Sequence, residues 1–566
     1  MPSVAIFGGG ISGLTCAHIL VKQGFHVTIY ESENILGGMA RSQREQGTNI
    51  PTEHSWRGYA PFYRNFFHIA KQIPTGPNNT VFDNLSEPVT FQMLNNYTKN
   101  QKRNNNISLS ILYLFSKAIL SDERDKDAKF HTALAPILEK KLSKDDYAEY
   151  GYDFFLNFMM GPGWGMDKDT ASLGHYAKFM EYSLFQADGK TKWQVMRMPT
   201  NEAWFDHWET SLRAQGVEFY FNTYLIRINA NQSGVQNCII QENNQENNQE
   251  NNQENNQENN NNFYSITADE YIFAINPFNL EEILKSSVSV PDSIKQQHIL
   301  SNKQSYYEMI SFTISFTKKI DFPRQSAYIL VDGPLNITFY PQDAVWNPEV
   351  NLGEGVKTAK RTPEGVKSLW SGTCIMTHRD IDTSQGKKIA INLTIDELQE
   401  EILHEILDSP ILREKLSHIT CKDMTIKIWY EWSNKNGTLV PIYKKFSNNI
   451  YNQDYRLSQT TIIPNMYIGG AHTKTSIDIW SMEGAVESGI LVSNNILEKY
   501  GLPLEPIYVH KSTPGIISAM KSVDNHLYRM GLPHVVDVII ILIFLIIFLI
   551  ILKIIIKIIH NMKSKK

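Results

Sequence analysis

The chain has 566 residues, a formal net charge of −5 and four cysteines, enough length for a large core and more than one domain. The repeat at Gln241–Asn262 carries five Glu and no Lys or Arg, while the stretch from Gly501 to Lys566 carries eight Lys/Arg against three Asp/Glu. The body has no basic stripe, so no nucleic-acid partner is expected, and Cys16, Cys238, Cys374 and Cys421 form no C-x-x-C or Cys/His cluster, so no metal site is expected and a reducing compartment fits.

In chain order, Val4-Ala5-Ile6-Phe7 is an apolar run suited to a buried parallel strand. Gly8-Gly9-Gly10-Ile11-Ser12-Gly13 follows at once, Leu14 to Lys22 reads as a helix, and Gly24 ends it. Val27-Thr28-Ile29-Tyr30 predicts a second strand, closed by Glu31 at the distance where a carboxylate meets a ribose hydroxyl. In this pattern Gly8 permits the tight turn, Gly10 lets a pyrophosphate touch backbone, and Gly13 lets helix and strand pack closely. The helix N-terminus adds free N–H donors and a positive dipole end. A second glycine pair comes soon after, in Leu36-Gly37-Gly38-Met39-Ala40-Arg41-Ser42.

The middle of the chain is less distinctive. Leu109–Phe115 and Phe154–Met160 read as apolar helices, the second broken by Gly161-Pro162-Gly163-Trp164-Gly165. Such aromatic and Met-rich helices can line a tunnel for a long apolar substrate, although core packing is the commoner use of the pattern. Gln-Glu-Asn-Asn recurs through Gln241–Asn262 without an apolar residue, between strand-like runs at Val235–Ile240 and Phe263–Thr267, and reads as an expanded hairpin loop. Glu270–Ala274 predicts another strand. Tyr467-Ile468-Gly469-Gly470-Ala471-His472-Thr473 and Ser481-Met482-Glu483-Gly484-Ala485 then form a second glycine-rich constellation. Val538 to Leu552 is an unbroken apolar run that continues past Lys553 and Lys557 to Ile559. As a helix it spans about 33 Å, enough to cross a bilayer, and the two lysines can snorkel. No basic leader precedes the first strand, so the expected topology is a single C-terminal anchor with the body in the cytosol.

These segments, with Glu53-His54-Ser55-Trp56-Arg57-Gly58-Tyr59, Pro199–Phe205, Tyr224–Ile228 and Ser481–Gly489, resemble the flavin superfamily that holds phytoene desaturases and flavin-containing amine oxidases. The likeness covers most of residues 1–500 and leans to the desaturase-like branch. It implies an α/β fold in which a discontinuous Rossmann-type FAD-binding domain (1–85, 201–284 and 451–500) is interleaved with an α+β substrate domain (86–200 and 285–450). A low-complexity insert (241–262), a linker (501–537) and a transmembrane helix (538–559) complete the expected organisation. The resemblance also implies FAD held without a covalent link, through Gly8, Gly10, Ser12, Gly13, Glu31, Gly38, Met39, Arg41, Leu225, Gly470, His472 and Met482. Three departures stand out. Met39 follows the second glycine pair and displaces the arginine to Arg41. Ala471 and His472 occupy the place of a carboxylate that meets the ribityl chain or a nearby water. Ser481 replaces the aromatic that forms one wall of the amine cage in the amine oxidases, and serine offers no cation–π face.

In such a protein flavin accepts the hydride and the chain supplies placement and electrostatics. His54 is a weak candidate acid or base near the ring. The leading expectation is a membrane-anchored FAD-dependent oxidoreductase acting on an apolar, isoprenoid-like small molecule. The alternatives are a flavin-containing amine oxidase and an inactive flavoprotein-like scaffold, the last supported by Ala471.

Overall fold

The structure, a computed structural model, describes residues 1–53, 57–94, 193–242, 262–303, 306–307, 309–323, 326–330, 335, 337–354, 365–375, 380–383, 386–428, 432–435, 438–442, 444–447, 449–510 and 515–563, with 113, 116, 117, 119, 120, 124, 178, 181 and 182. The apolar runs expected as helices at 109–115 and 154–160 lie outside this set except for Tyr113, as do residues 243–261 of the repeat.

Strand β1 (Ser3–Phe7) is the centre of a five-stranded sheet. Its apolar sequence is explained by its neighbours: Val4, Ala5, Ile6 and Phe7 are all buried, as a strand paired on both edges requires. On one side lie β2 (His26–Tyr30) and β3 (Glu218–Tyr220), and on the other β4 (Glu270–Phe273) and β5 (Met466–Ile468). Every pairing is parallel. The order β3-β2-β1-β4-β5 reverses direction at β1, so the crevice beyond the C-terminal end of β1 is the topological switch point. Helix α1 (Ile11–Lys22) starts there. A Cβ on Gly13 would strike the carbonyl oxygen of Gly8, so the tight strand-to-helix turn excludes a side chain at that position.

The other end of the chain closes on the same helix. Helix α3 (Met482–Lys499) crosses α1, with helix α2 (Arg64–Ala70) between them in sequence and packed against α3. At the crossing a Cβ on Gly489 would lie 2.6 Å from the Thr15 Cβ and 2.8 Å from the Ser12 carbonyl oxygen. The Cys16 thiol donates to the Gly489 carbonyl at 3.4 Å.

A three-stranded antiparallel sheet (Thr223–Asn231, Gly234–Glu242, Asn262–Ile266) flanks the parallel one, and Glu242 pairs with Asn262 at the edges of the repeat. A separate six-stranded sheet runs in the order 424–428, 309–316, 368–375, 338–341, 326–330, 90–94. Phe312, Phe316, Phe339 and Trp370 fill its core together with Leu398, Ile402 and Ile406 of the helix Ile395–Asp408. All of these sheets belong to one compact unit, Met1–Asn100, Asp153–Asp167 and Ala187–His510.

A second unit comprises Gln101–Tyr152, Lys168–Gln186 and Lys511–Lys566. Within the stretch 501–537, expected as a linker, it holds helix α4 (Gly515–Arg529). Helix α5 (Val535–Lys563) extends beyond the apolar run at both ends and is long and apolar enough to cross a membrane. In the first unit the segment before His510 is also fastened. Tyr508 N–H donates to Asn65 Oδ1 at 2.8 Å, and the His510 imidazole meets Glu483 Oε1 at 2.8 Å.

Gly489→Val is therefore expected to push α3 off α1. Overpacking of this kind costs about 1–3 kcal/mol, read as a lower Tm of the purified protein. An unchanged Tm would show that the crossing tolerates a side chain.

Candidate functional site

Three glycine turns meet at the switch point. Gly8, at φ +107°, donates its N–H to the Tyr30 carbonyl at 2.8 Å. Gly9 N–H donates to Glu31 Oε2 at 2.6 Å. The other oxygen of Glu31 accepts from Glu33 N–H at 2.9 Å and from the Ser32 hydroxyl at 3.0 Å. Gly37 N–H donates to the Gly9 carbonyl at 2.9 Å, which lays the second glycine pair on the first. A Cβ on Gly38 would stand 3.1 Å from the Gly10 Cα. Among the described residues a Cβ on Gly10 would come within 4 Å of the Gly38 Cα alone, at 3.8 Å, which leaves a cleft beside it clear of their side chains. Gly10 is also the N-cap of α1 and supplies no side-chain cap. Ser12, in the first turn, is buried, and its hydroxyl has no partner among the described residues. A Cβ on Gly469 would lie 2.8 Å from that hydroxyl, which places the C-terminal turn against the N-terminal one.

Buried charges hold these turns in shape. Arg456, 1% exposed, donates through Nη2 to the Ala471 carbonyl at 2.9 Å and through Nε to the His472 carbonyl at 3.3 Å, and it pairs with Asp478. On the other side Glu53 pairs with Arg57 and accepts from Thr200 N–H at 2.6 Å. Arg57 Nη2 then donates to the Arg41 carbonyl at 2.9 Å and to the Met39 carbonyl at 3.4 Å. Asn201 closes the frame, accepting from Ser42 N–H at 2.6 Å and donating to the Leu36 carbonyl at 3.1 Å. Arg41 turns back onto its own loop and donates to the Gly38 carbonyl at 3.2 Å. Two guanidinium groups thus lie around the Gly37–Arg41 turn, Arg57 paired with Glu53 and Arg41 3.9 Å from Glu33 Oε2, so the turn is framed by paired charges.

Sequence reasoning missed Arg456, Arg57 and Glu53 as parts of the site. Glu53 and Arg57 both lie inside the quoted segment Glu53–Tyr59, but Glu53 ends a strand, Pro51–Glu53, so no helical spacing announces their pairing. Arg456 has no local signal, because its partners lie in a turn folded back from further along the chain. Leu225 is buried in the three-stranded sheet, in a core cluster with Phe7 and Tyr30. His54 lies outside the described residues, and among those described no group of metal-ligating side chains occurs.

Burial governs the electrostatics. It raises the pKa of Glu31, against the pull of the N–H groups of Glu33 and Gly9. It lowers that of His472 to about 3, so this imidazole is neutral in ordinary conditions. Its Nε2 is buried with no partner among the described residues. Met482 opens α3, and Ser481 is the helix N-cap, its hydroxyl accepting from Gly484 N–H at 3.1 Å. The aromatic ring next to it belongs to Trp480, whose centroid lies 5.4 Å from Phe446 and 6.5 Å from His472. Lys445, adjacent to Phe446, is held well below its ordinary pKa by burial and then by the charge of Arg57.

The uncapped helix terminus, the unpartnered Ser12 hydroxyl and the side-chain-free cleft at Gly10 fit the pyrophosphate of a dinucleotide. A family description, flavin containing amine oxidoreductase, matches residues 11–497. The chain belongs to this family of flavin-dependent oxidoreductases. Solved structures with the same fold include putrescine oxidase bound to putrescine (TM-score 0.58, 12% identity, 88% of this chain and 99% of that one). Cyclohexylamine oxidase from Brevibacterium oxydans IH-35A is another (TM-score 0.52, 14% identity, 88% and 99%). Among curated proteins, carotenoid phi-ring synthase of Streptomyces griseus is 37% identical over 68 residues, 12% of this chain and 13% of that protein. Polyamine oxidase 5 of Oryza sativa subsp. japonica is 33% identical over 89 residues, 14% of this chain and 18% of that protein. The chain thus matches less than a fifth of the length of each of these two relatives.

The raised pKa of Glu31 gives a signed expectation. A buried carboxylate held above its ordinary value protonates earlier as pH falls, and the neutral acid loses its full acceptor strength toward Gly9 N–H. Flavin release on acidification, followed by flavin fluorescence, is expected to begin above the ordinary glutamate range of about 4.3. In Glu31→Gln flavin binding is expected to be weaker throughout and to lack that step. A step that persists in Glu31→Gln would assign it to another group.

Proposed function

We propose that the protein is an FAD-dependent oxidoreductase that takes a hydride from a lipophilic, isoprenoid-like substrate and is anchored in a membrane by α5. The observation that carries this reading is the convergence of the turns at Gly8–Gly13, Gly37–Gly38 and Gly469–Gly470 on the uncapped start of α1. In this reading the parallel sheet is a Rossmann-type FAD-binding layer, and the six-stranded sheet belongs to the substrate domain. The first-turn N–H groups of α1 and the Ser12 hydroxyl hold the pyrophosphate. Glu31, already fixed by Gly9, takes a ribose hydroxyl on its remaining lone pair. Arg41 serves as the phosphate contact, and Arg57, paired with Glu53, shapes the turn that carries it. His472 offers a neutral imidazole where a carboxylate stands in relatives, and Gly470 and Met482 border the flavin. Bound flavin supplies the hydride acceptor.

The apolar substrate is supported by Ser481, whose hydroxyl is engaged as a helix cap, and by α5, which would keep the enzyme where such a substrate dissolves. Three of the four cysteines are buried, all four are free, and none lies in the glycine-rich turn at Gly469–Gly470, which supports FAD without a thioether link and a body in the reducing cytosol. One observation favours a second reading, oxidation of an amine. Trp480 and Phe446 stand beside His472 and offer the aromatic faces that Ser481 lacks.

The two readings separate under anaerobic conditions. An isoprenoid presented in detergent is expected to bleach the bound flavin while primary amines and polyamines leave it oxidised. Rapid stoichiometric bleaching by a simple amine, lost in Trp480→Ala, would establish the second reading instead. A colourless protein made with ample flavin would leave only the inactive scaffold.

Ending the chain at His534 is expected to convert a carbonate-resistant membrane protein into a carbonate-extractable one that still carries flavin. Continued resistance to carbonate would place the anchor outside α5.

A further inference from the structure

Helix α4 carries an apolar stripe on its exposed side. Ile516, Met520, Val523 and Leu527, with Met530 just beyond the helix, follow one another at spacings of four, three, four and three. At 3.6 residues per turn this sequence of spacings keeps all five on one face. Ile516 is 70% exposed, Val523 50% and Met530 55%. Ser518 and Ser522 are exposed on another side, while Ile517 and Asp524 are buried.

The joint from α4 to α5 is built rather than slack. Gly531, at φ +70°, ends α4, and Leu532 N–H reaches back to the Leu527 carbonyl at 2.9 Å, the closure typical of a Schellman motif. The buried carboxylate of Asp524 accepts from Val535 N–H, in the first turn of α5, at 2.9 Å and pairs with Arg124 Nε at 3.2 Å. An anion at the start of α5 also suits its dipole. The end of α4 is therefore tied to the start of α5 by one of its own residues. The connection is short: even fully extended, the chain from Arg529 to Val535 reaches only about 20 Å.

We propose that α4 lies in the boundary between headgroups and acyl chains of the same bilayer that α5 crosses, with the Ile516–Val523–Met530 stripe inserted in it. The inference rests on the reading of α5 as a membrane span. The occupant of the stripe is lipid because only four residues, Gly531–His534, separate Met530 from the start of the helix read as the membrane span. The Asp524–Val535 hydrogen bond also keeps the end of α4 beside the start of α5, and an amphipathic helix of this kind buries its apolar face about 5–10 Å into the interface. A spanning helix alone leaves the second unit free to turn about the helix axis. A second, lying helix removes that freedom.

The test uses the full chain in vesicles of phosphatidylcholine and phosphatidylserine, with Cys421→Ser removing the exposed native thiol. Single cysteines at Val523→Cys, Ser518→Cys and Phe544→Cys carry an environment-sensitive fluorophore. Nitroxide lipids labelled at shallow or deep acyl positions serve as quenchers, and dithionite reports water access. The expected result is deep quenching at position 544, shallow quenching at 523 several-fold above that at 518, and dithionite access at 518 only. Deep quenching at 544 with position 523 open to dithionite would overturn the inference and leave the anchor standing. Protection at 523 without lipid quenching would overturn it too, because protein then covers the stripe. A label at 544 that stays aqueous would remove the anchor reading and with it this inference.

Discussion

The backbone crossing of α1 and α3 at Gly489 is the constraint on which the rest depends. The Cys16 thiol and the Gly489 carbonyl are separated by 473 positions in sequence and meet at 3.4 Å. Closing so long a loop carries an entropic cost that grows only slowly with length, and buried apolar contact on both helices offsets it. Once α3 lies on α1, its N-terminus must fall beside the first turn of α1, and Gly469 reaches the Ser12 hydroxyl. The two motif-bearing ends of the chain thus form one site because two helices approach closely enough to exclude a side chain at one position.

A second layer of constraint is electrostatic. Turns made of glycine have no side chains to lock them, so other groups must. Here buried ions do so: Arg456 across the Ala471–Thr473 carbonyls, and Glu53 with Arg57 across the carbonyls of Met39 and Arg41. A buried ion is costly unless its hydrogen bonds are filled. Arg456 fills its own with carbonyls that would otherwise lack donors, so one residue satisfies the turn and is satisfied by it. Removing either partner would leave the other desolvated, which makes the turns stiff rather than merely bent.

The parts of the fold that were legible in the sequence are those whose signal is local. Val4–Phe7, Gly8–Gly13, Ile11–Lys22 and Val27–Glu31 follow from apolar runs, glycines that only a tight turn requires, and an acidic residue at a fixed distance. The long apolar run of α5 was legible for the same reason, and its additional turns at each end were not, because Asp537 and Lys563 break the apolar pattern without breaking the helix. Helix α4 escaped notice because its stripe is interrupted by polar residues over a short span. Arg456 could not be read at all, and Asn201 was read only as part of the segment Pro199–Phe205: each acquires its role from partners that only the folded chain supplies. Ser481 was read as a missing aromatic, which is true of that position. The structure adds that the serine caps α3 and that the ring stands one residue earlier, at Trp480.

The resemblance implies a carboxylate where this chain has Ala471 and His472, a difference in charge and not only in shape. A buried carboxylate there would repel phosphate and would need donors of its own. A neutral imidazole needs only one donor or acceptor at each nitrogen, and its Nε2 has none among the described residues. The same holds for the Ser12 hydroxyl. Each buried polar group left without a partner costs about 1–3 kcal/mol. Two such groups on adjoining turns, beside a cleft free of side chains, are costly to retain in a protein that merely keeps the shape of a flavoenzyme. They are accounted for when a ligand with acceptors at the pyrophosphate and along the neighbouring chain satisfies them. A bound dinucleotide would relieve both at this place, whereas buried polar atoms without a described partner at Thr338 and Trp370 belong to the six-stranded sheet and bear on no glycine turn.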